Sequence, residues 1–481
     1  MCRVDLSATC KTNVIPKKLE NIVMNNRLLA LAVASALGCA ASLAPAPAFA
    51  QSADIEALKA QLAALSAKID QLEKAQTQTK KTVDEAQATA DHTADVVAQK
   101  SAALSFNGDL RYRNESFDVQ YVDRNRDRDR IRARLNALFR VNDTISGQFA
   151  ITTGSTDPRS GNQTLTDQNA RKDFDLDLAY ITWAPNAAWK VTAGKQKYPW
   201  QRTGSLFFDN DVNPEGISTG YAQGNLFVNA YYDWLAERAL SFGNVTNGTN
   251  TDSIMFGAQI GYKFPISDST KLTVAATYFN FDGVQGWNPL FGASSFGNTT
   301  TTSATVCNRT LAAGTACLLS DYDIVEVFAD LTTSAGGKPL RFFIDYAQNS
   351  AAEVNPVAGE KLDTAYSAGL NYGAATAAKG TWELGLVYQQ VEKDALFGQL
   401  LDSDFGDGNT DTNGFVLKGG YSLARNWTLN ASLFLNDLSN DVPQSVTVFN
   451  TATPAPLDTT VINGVIDRDY KRLQLDLNFK F

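Results

Sequence analysis

From about residue 104 to the C-terminus, apolar and polar positions alternate with a period of two, in short segments separated by runs rich in Gly, Asn, Asp, Ser and Thr. The last segment shows the pattern most clearly. Leu473, Leu475, Leu477, Phe479 and Phe481 share one face, and Arg472, Gln474, Asp476, Asn478 and Lys480 share the other. A strand with one apolar and one polar face that ends the chain on an exposed aromatic suits a wall with lipid outside and water inside. A soluble edge strand of that composition would invite aggregation. Sixteen such segments can be placed, at approximately 104–116, 128–141, 144–154, 173–184, 188–199, 217–223, 225–235, 253–264, 270–281, 322–332, 339–348, 363–373, 380–391, 413–424, 426–436 and 468–481.

Their connections alternate in length. Asn142-Asp143, Pro185 to Ala187, Gly224, Pro265 to Ser269, Thr333 to Lys338, Ala374 to Lys379 and Arg425 are short. The segments 117–127, 155–172, 200–216, 236–252, 282–321, 349–362, 392–412 and 437–467 are long. Short periplasmic turns against long external loops, with an even strand count, predict an all-β transmembrane barrel of about 16 antiparallel strands over residues 101–481. Fourteen or eighteen strands are the alternatives, and 217–223 is the weakest segment. Trp183, Trp189, Trp200, Trp234, Trp382 and Trp427 fall near inferred strand ends, as an interfacial girdle requires, although ordinary β-propensity would also place them there.

Ahead of the barrel the period changes. Ile55, Leu58, Leu62, Leu65, Ile69 and Leu72 follow a 3-4-3-4-3 spacing, the seam of an α-helical coiled coil over residues 51–100. The seam weakens through Gln76, Thr79, Val83, Ala86, Ala90 and Val97, and it does not fix the number of helices. With both barrel termini on the periplasmic side, the coiled coil is expected there too. Residues 1–50 read as a signal region. An apolar run, Leu28 to Ala44, follows Met24 and Arg27 and leads to Ala48-Phe49-Ala50, so the start is expected at Met24 and cleavage after Ala50. A lipid anchor on Cys39 is the alternative, behind a poor lipobox.

Cleavage would leave 37 basic against 49 acidic residues, a net charge of -12. So acidic a chain lacks the basic surface that nucleic acid needs. Of five cysteines, Cys307 and Cys317 would remain, ten residues apart in an exported chain, a pattern that points to a loop disulfide. A metal pair is the alternative, with no His nearby.

Charges recur in register with the alternation. Arg128, Arg130, Arg132, Arg134 and Arg140 share one face of the second segment, with Ile131, Ala133, Leu135, Ala137 and Phe139 on the other. Arginines near the bilayer midplane cost about 2–4 kcal/mol each, so their face must point into the lumen. Arg111 and Arg113 continue the set from the first segment. Asp173, Asp175 and Asp177 of the fourth are expected to face inward as its complement, with Phe174, Leu176, Leu178 and Tyr180 outward. Opposed basic and acidic columns would set a transverse field across a water-filled passage. The alternative is a purely structural charge network. The third long loop carries Asp209, Asp211 and Glu215, and 402–411 repeats the acidic spacing. Both are incomplete as calcium loops, since Pro214 replaces the glycine of an EF-hand turn, so no cofactor is expected and calcium is the minor alternative.

Several segments in their order resemble the family called putative porins. They are Gly108-Asp-Leu-Arg-Tyr-Arg113, Arg126 to Arg140, Ser160-Gly-Asn-Gln-Thr-Leu165, Asp175-Leu-Asp-Leu-Ala-Tyr180, Ala193-Gly-Lys-Gln-Lys-Tyr-Pro-Trp200 and Asp209 to Gly216. The resemblance implies an outer-membrane channel for passive passage of small hydrophilic solutes and ions, a homo-oligomer of three copies embedded in outer-membrane lipid. It also implies a third loop folded inward as a constriction, which places Asp209, Asp211 and Glu215 near the arginine wall. The 40-residue loop with Cys307 and Cys317 departs from what the family leads one to expect. The alternatives are a substrate-selective channel or a barrel that anchors the coiled coil as a tether. An enzyme is disfavoured, because the single histidine, His92, lies in the coiled coil and no G-x-S-x-G sequence occurs.

Overall fold

The computed structural model describes residues 51–121, 126–165, 168–238, 252–290, 294–308, 311, 314–438, 444–450, 458–464 and 468–481. The expected signal region, with Met24, Cys39 and Ala50, lies outside them. Helix α1 spans Gln51–Ala103. Leu62, Leu65, Ile69 and Leu72 are between 50% and 66% exposed, so the chain itself leaves this stripe uncovered. The side chains of Ile55 and Leu58 lie outside the described residues.

Sixteen antiparallel strands follow: β1 Leu104–Val119, β2 Arg126–Arg140, β3 Ile145–Thr153, β4 Phe174–Trp183, β5 Trp189–Lys195, β6 Glu215–Gln223, β7 Leu226–Ala236, β8 Ser253–Ser267, β9 Thr270–Asp282, β10 Tyr322–Ala335, β11 Lys338–Asn349, β12 Thr364–Gly373, β13 Trp382–Val391, β14 Thr412–Ala424, β15 Trp427–Leu438 and β16 Arg468–Lys480. Each pairs with its sequence neighbours. β16 also pairs with β1, from Asp109 opposite Lys480 to Val119 opposite Tyr470, so the sheet closes and no edge is left in lipid. A two-residue piece, Gln163–Thr164, adds to β2 beside Arg130 and Ile131.

The outward face carries Leu110, Tyr112, Phe149, Ile181, Ile260, Ile344, Leu384, Leu417 and Leu475, all strongly exposed, as a lipid-facing wall requires. Trp183, Trp189, Trp234 and Trp427 are likewise exposed. Trp200 departs from the girdle expectation: it is 4% exposed and packs against Phe208, Tyr231 and Phe279. The reason is that β5 stops at Lys195, four residues short of the expected 199, and the chain then turns inward.

The phase expected for the fourth segment holds for only part of β4. Ala150 of β3 faces Leu178 and Ile151 faces Leu176, so Asp177 is an extra, unpaired residue. This bulge reverses the alternation beyond it. Asp175 stays opposite Thr152 and Leu176 stays outward, but Leu178 is 1% exposed and Tyr180 donates a hydrogen bond to the inward-facing Gln148 at 2.8 Å. Ala179, Ile181 and Trp183 take the outward positions instead.

The closing seam makes a specific demand at Gly108. Its N–H donates to the Phe481 carbonyl at 3.0 Å and its carbonyl accepts from the Phe481 N–H at 3.1 Å. A Cβ there would lie 2.6 Å from the Phe481 ring and closer still to the Arg134 carbonyl on β2. Gly108→Val should therefore overpack the seam by about 1–3 kcal/mol. The fraction of barrel keeping its folded mobility on unheated gels should fall. A wild-type folded fraction would show that the β1–β16 seam does not depend on this contact.

Candidate functional site

Four external loops turn into the barrel. Loop 3 (196–214) runs along the inner wall, held by inward-facing polar side chains. The Gln201 N–H donates to Gln259 Oε1 on β8 at 2.8 Å, the Thr203 and Ser205 hydroxyls donate to Asp345 on β11 at 2.7 and 2.8 Å, and the Leu206 N–H donates to Gln389 Oε1 on β13 at 2.8 Å. It returns by way of Asp211 to β2 and of Asn213, whose amide donates to the bulged Asp177. Its apolar residues Trp200, Phe207, Phe208 and Val212 bury against Tyr231, Met255, Phe279 and Phe281 from inside the wall, and Leu396, Phe397 and Leu400 of loop 7 (392–411) complete that core.

Loop 5 (283–321) braces loop 7. Cys307 and Cys317 are joined in a disulfide with a Cα–Cα distance of 5.6 Å. Within this loop Asn298 donates to the carbonyls of Lys393 and Leu396, both at 2.9 Å, and accepts from the Gly398 N–H at 2.8 Å. Burying so much loop backbone is tolerable because these side chains satisfy it. From loop 2 (154–173), Arg159 lies over the Phe296 ring and donates to the Gly408 carbonyl at 3.1 Å.

The arginines stand on β1, β2 and β16. Arg113 clamps Asp476 of β16 with two hydrogen bonds of 2.6 and 2.7 Å and reaches Asp404 of loop 7 at 3.1 Å. Arg472 pairs with Glu115 and Asp404, both at 2.7 Å, and Arg128 also pairs with Glu115. Arg132 contacts Asp109 at 3.3 Å and Asp211 at 3.2 Å, while Arg134 contacts the same two at 2.7 and 3.6 Å. Arg130 lies 3.8 Å from Glu115, and Arg111 donates to Asn162 at 2.5 Å. Arg140, exposed near the β2–β3 turn, sits apart from this set. The arginines thus take their counter-charges from β1, β16 and loops 3 and 7.

Of the acidic residues expected to face them, Asp211 does so. Asp173 is exposed just ahead of β4, and Asp175 and Asp177 line a polar cavity of about 360 Å3 together with Arg134, Lys195 and Asp211. Glu215 pairs with Lys195 at 2.9 Å. Asp209 is a brace, 5% exposed, accepting the N–H groups of Asp211 and Ser403 at 2.8 Å each. Burial, with Asp402 and Asp211 nearby, pushes its carboxyl well above the usual range. Burial would also raise Asp404, but Arg472 and Arg113 outweigh it and hold that carboxyl well below the usual range.

Asp109 and Glu115 share the face of Arg111 and Arg113, so the same alternation extended two residues each way would have found them. Asp404 gave no such signal: its spacing suggested a solvated turn. Lys197 was also missed. Its side chain is exposed, and the encircling wall desolvates it and lowers its pKa while Asp177 opposes the shift.

A closed barrel with an apolar outer wall, an interior narrowed by an infolded third loop and a charged passage beside that loop defines the outer-membrane porin class. A family model described as putative porin matches residues 71–321 and 294–453, and the chain belongs to that family. Among solved structures it is similar to OprB of Pseudomonas putida, with TM-score 0.49 and 13% identity over 81% of this chain and 97% of that one. It is also similar to OmpT of Vibrio cholerae in its trimer form, with TM-score 0.40 and 14% identity over 79% and 99%. For a triple mutant of Rhodopseudomonas blastica porin the values are 0.38 and 11%, over 79% and 100%. No curated protein matches the chain.

Asp404 carries loop 7 onto the closing seam, so Asp404→Asn should remove one charged partner from each of two buried guanidinium groups, with Arg113 keeping Asp476 and Arg472 keeping Glu115. Because Asp404 keeps some exposure, the expected loss is on the order of 2 kcal/mol, below the usual cost of breaking a fully buried pair. Urea unfolding in detergent would read it. A depressed carboxyl stabilises the fold at every pH above its unfolded pKa, so the loss should be equal at pH 7 and pH 5 and shrink only below about pH 4. A loss that disappears by pH 5 would contradict the assigned ion pairs.

Proposed function

We propose that this chain is a non-catalytic outer-membrane porin through which small hydrophilic solutes and ions diffuse passively, past a constriction set by loop 3 against the β1–β2 arginine wall. The observation that carries this reading is Asp211, on a loop anchored at β8, β11 and β13, meeting Arg132 and Arg134 on β2. A loop that crosses the interior to reach a charged wall narrows the path without sealing it by apolar contact alone. Solutes passing there meet Arg134, Asp175, Asp177, Asp211 and Lys197, a mixed field that orients dipoles and biases ions.

Ion selectivity tests the reading. Replacing Arg130, Arg132 and Arg134 with Ser removes three positive charges and frees Asp211, so the reversal potential in a salt gradient should move towards cations. Replacing Asp173, Asp175 and Asp177 with Ser should move it towards anions. Both shifts should fade at 1 M salt, where screening acts within about 3 Å. If neither triple variant moves the potential at low salt, these residues do not line the conducting path.

The bare stripe of α1 favours a homo-oligomer joined through its helices, with three copies as the family resemblance implies. Leu62→Asp together with Leu65→Asp would bury unpaired charge in the seam and should shrink the assembly seen by native mass spectrometry. An assembly of unchanged size would assign the association to the barrel walls.

A further inference from the structure

Where loops 2 and 3 meet β7 lies a cavity of about 200 Å3 whose lining residues include several with buried polar atoms that have no partner among the described residues. Asp233 of β7 is 1% exposed, and among the described residues both of its carboxylate oxygens lack a hydrogen-bond partner. Tyr198 and Asn213 line the same cavity, and among the described residues the Tyr198 hydroxyl and the Asn213 amide oxygen are also without a partner. No salt bridge reaches Asp233 among the described residues, and Lys195, the basic residue nearby, is already committed to Glu215 and to the Asn213 carbonyl. Room for the carboxylate is kept by Gly216, where a Cβ would lie 2.5 Å from Asp233 Oδ1. Thr156, Lys195 and Glu215 also line the cavity, and Val212, Leu235 and Met255 give it an apolar side.

A buried carboxylate left bare is costly, whereas one that meets a charged donor gains a strong hydrogen bond. The Asp233, Tyr198 and Asn213 oxygens offer acceptors to a group with several N–H donors and one positive charge. The –NH3+ head has three such donors. We infer that this cavity is a binding site for a small primary alkylammonium ion, its head on Asp233, Tyr198 and Asn213 and its alkyl chain on Val212, Leu235 and Met255. The cavity shares Lys195, Asn213 and Glu215 with the polar cavity beside the constriction, so an amine held there waits next to the passage.

The test is calorimetric titration of the full-length refolded protein in detergent with n-butylammonium chloride, using tetramethylammonium and sodium chloride as controls. Saturable binding of butylammonium is expected, weakened at least about tenfold by Asp233→Asn and by a smaller factor in Tyr198→Phe. Tetramethylammonium, which has charge but no N–H donor, should bind far more weakly. Absence of saturable binding by the wild type, the result if water alone fills the cavity, overturns the inference. So does equal binding of tetramethylammonium, or unchanged affinity in Asp233→Asn. Single-channel conductance of both variants in potassium chloride should match the wild type. A protein that binds butylammonium yet carries no current would sink the porin reading and leave the site standing, whereas one that conducts without binding would do the reverse.

Discussion

The cluster of Glu115, Arg472, Asp404, Arg113 and Asp476 is the interaction on which most of the interior depends. It joins β1 to β16 across the line where the barrel closes, draws in Arg128 from β2, and fixes loop 7 to that line. Guanidinium groups stacked at two-residue intervals on adjacent strands repel one another and cannot be turned into lipid. Carboxylates on the same wall and on returning loops relieve that repulsion, and the loops are thereby drawn inward. Buried pairs of this kind add little net stability compared with apolar packing, but breaking one is expensive, which makes them good at specifying a single arrangement.

Loops 2, 3, 5 and 7 then act as one body. Loop 3 leans on loop 7 through the Asp209 N–H and the Leu400 carbonyl at 2.8 Å, loop 7 leans on loop 5 through Asn298, and loop 2 enters through Arg159. Long loops usually cost order because their backbone has no regular partner. Here Gln201, Thr203 and Ser205 exchange hydrogen bonds with Gln259 and Asp345 on the wall, and a sequestered aromatic core lies above them.

The strand frame was legible in the sequence because lipid imposes a strict rule: each spanning segment must alternate apolar and polar positions. All sixteen expected segments have a counterpart in the barrel, the weak 217–223 included, which becomes Glu215–Gln223. Two failures have physical causes. Alternation cannot reveal a bulge, so the Asp177 insertion put Leu178 and Tyr180 on the wrong face. The loop core was hidden because Tyr278-Phe279-Asn280-Phe281 reads as ordinary β-propensity, although apolar residues on both faces of a strand end signal that something covers the inner one. The charged wall could be read, but its partners could not, since Asp404 lies 291 residues from Arg113 in the chain.

The inner core also shapes the electrical environment of the passage. Trp200, Phe207, Phe208, Phe279 and Phe281 form a dry, weakly polarisable block against the inner wall, and in the pore proposed above that block bounds the water-filled passage. Field lines from Arg134, Asp175 and Lys197 avoid such a block and crowd into the remaining water. Each fixed charge is therefore felt more strongly by a passing ion than it would be in a wide cylinder of bulk solvent. A barrel of large circumference acquires in this way the electrostatics of a much narrower tube.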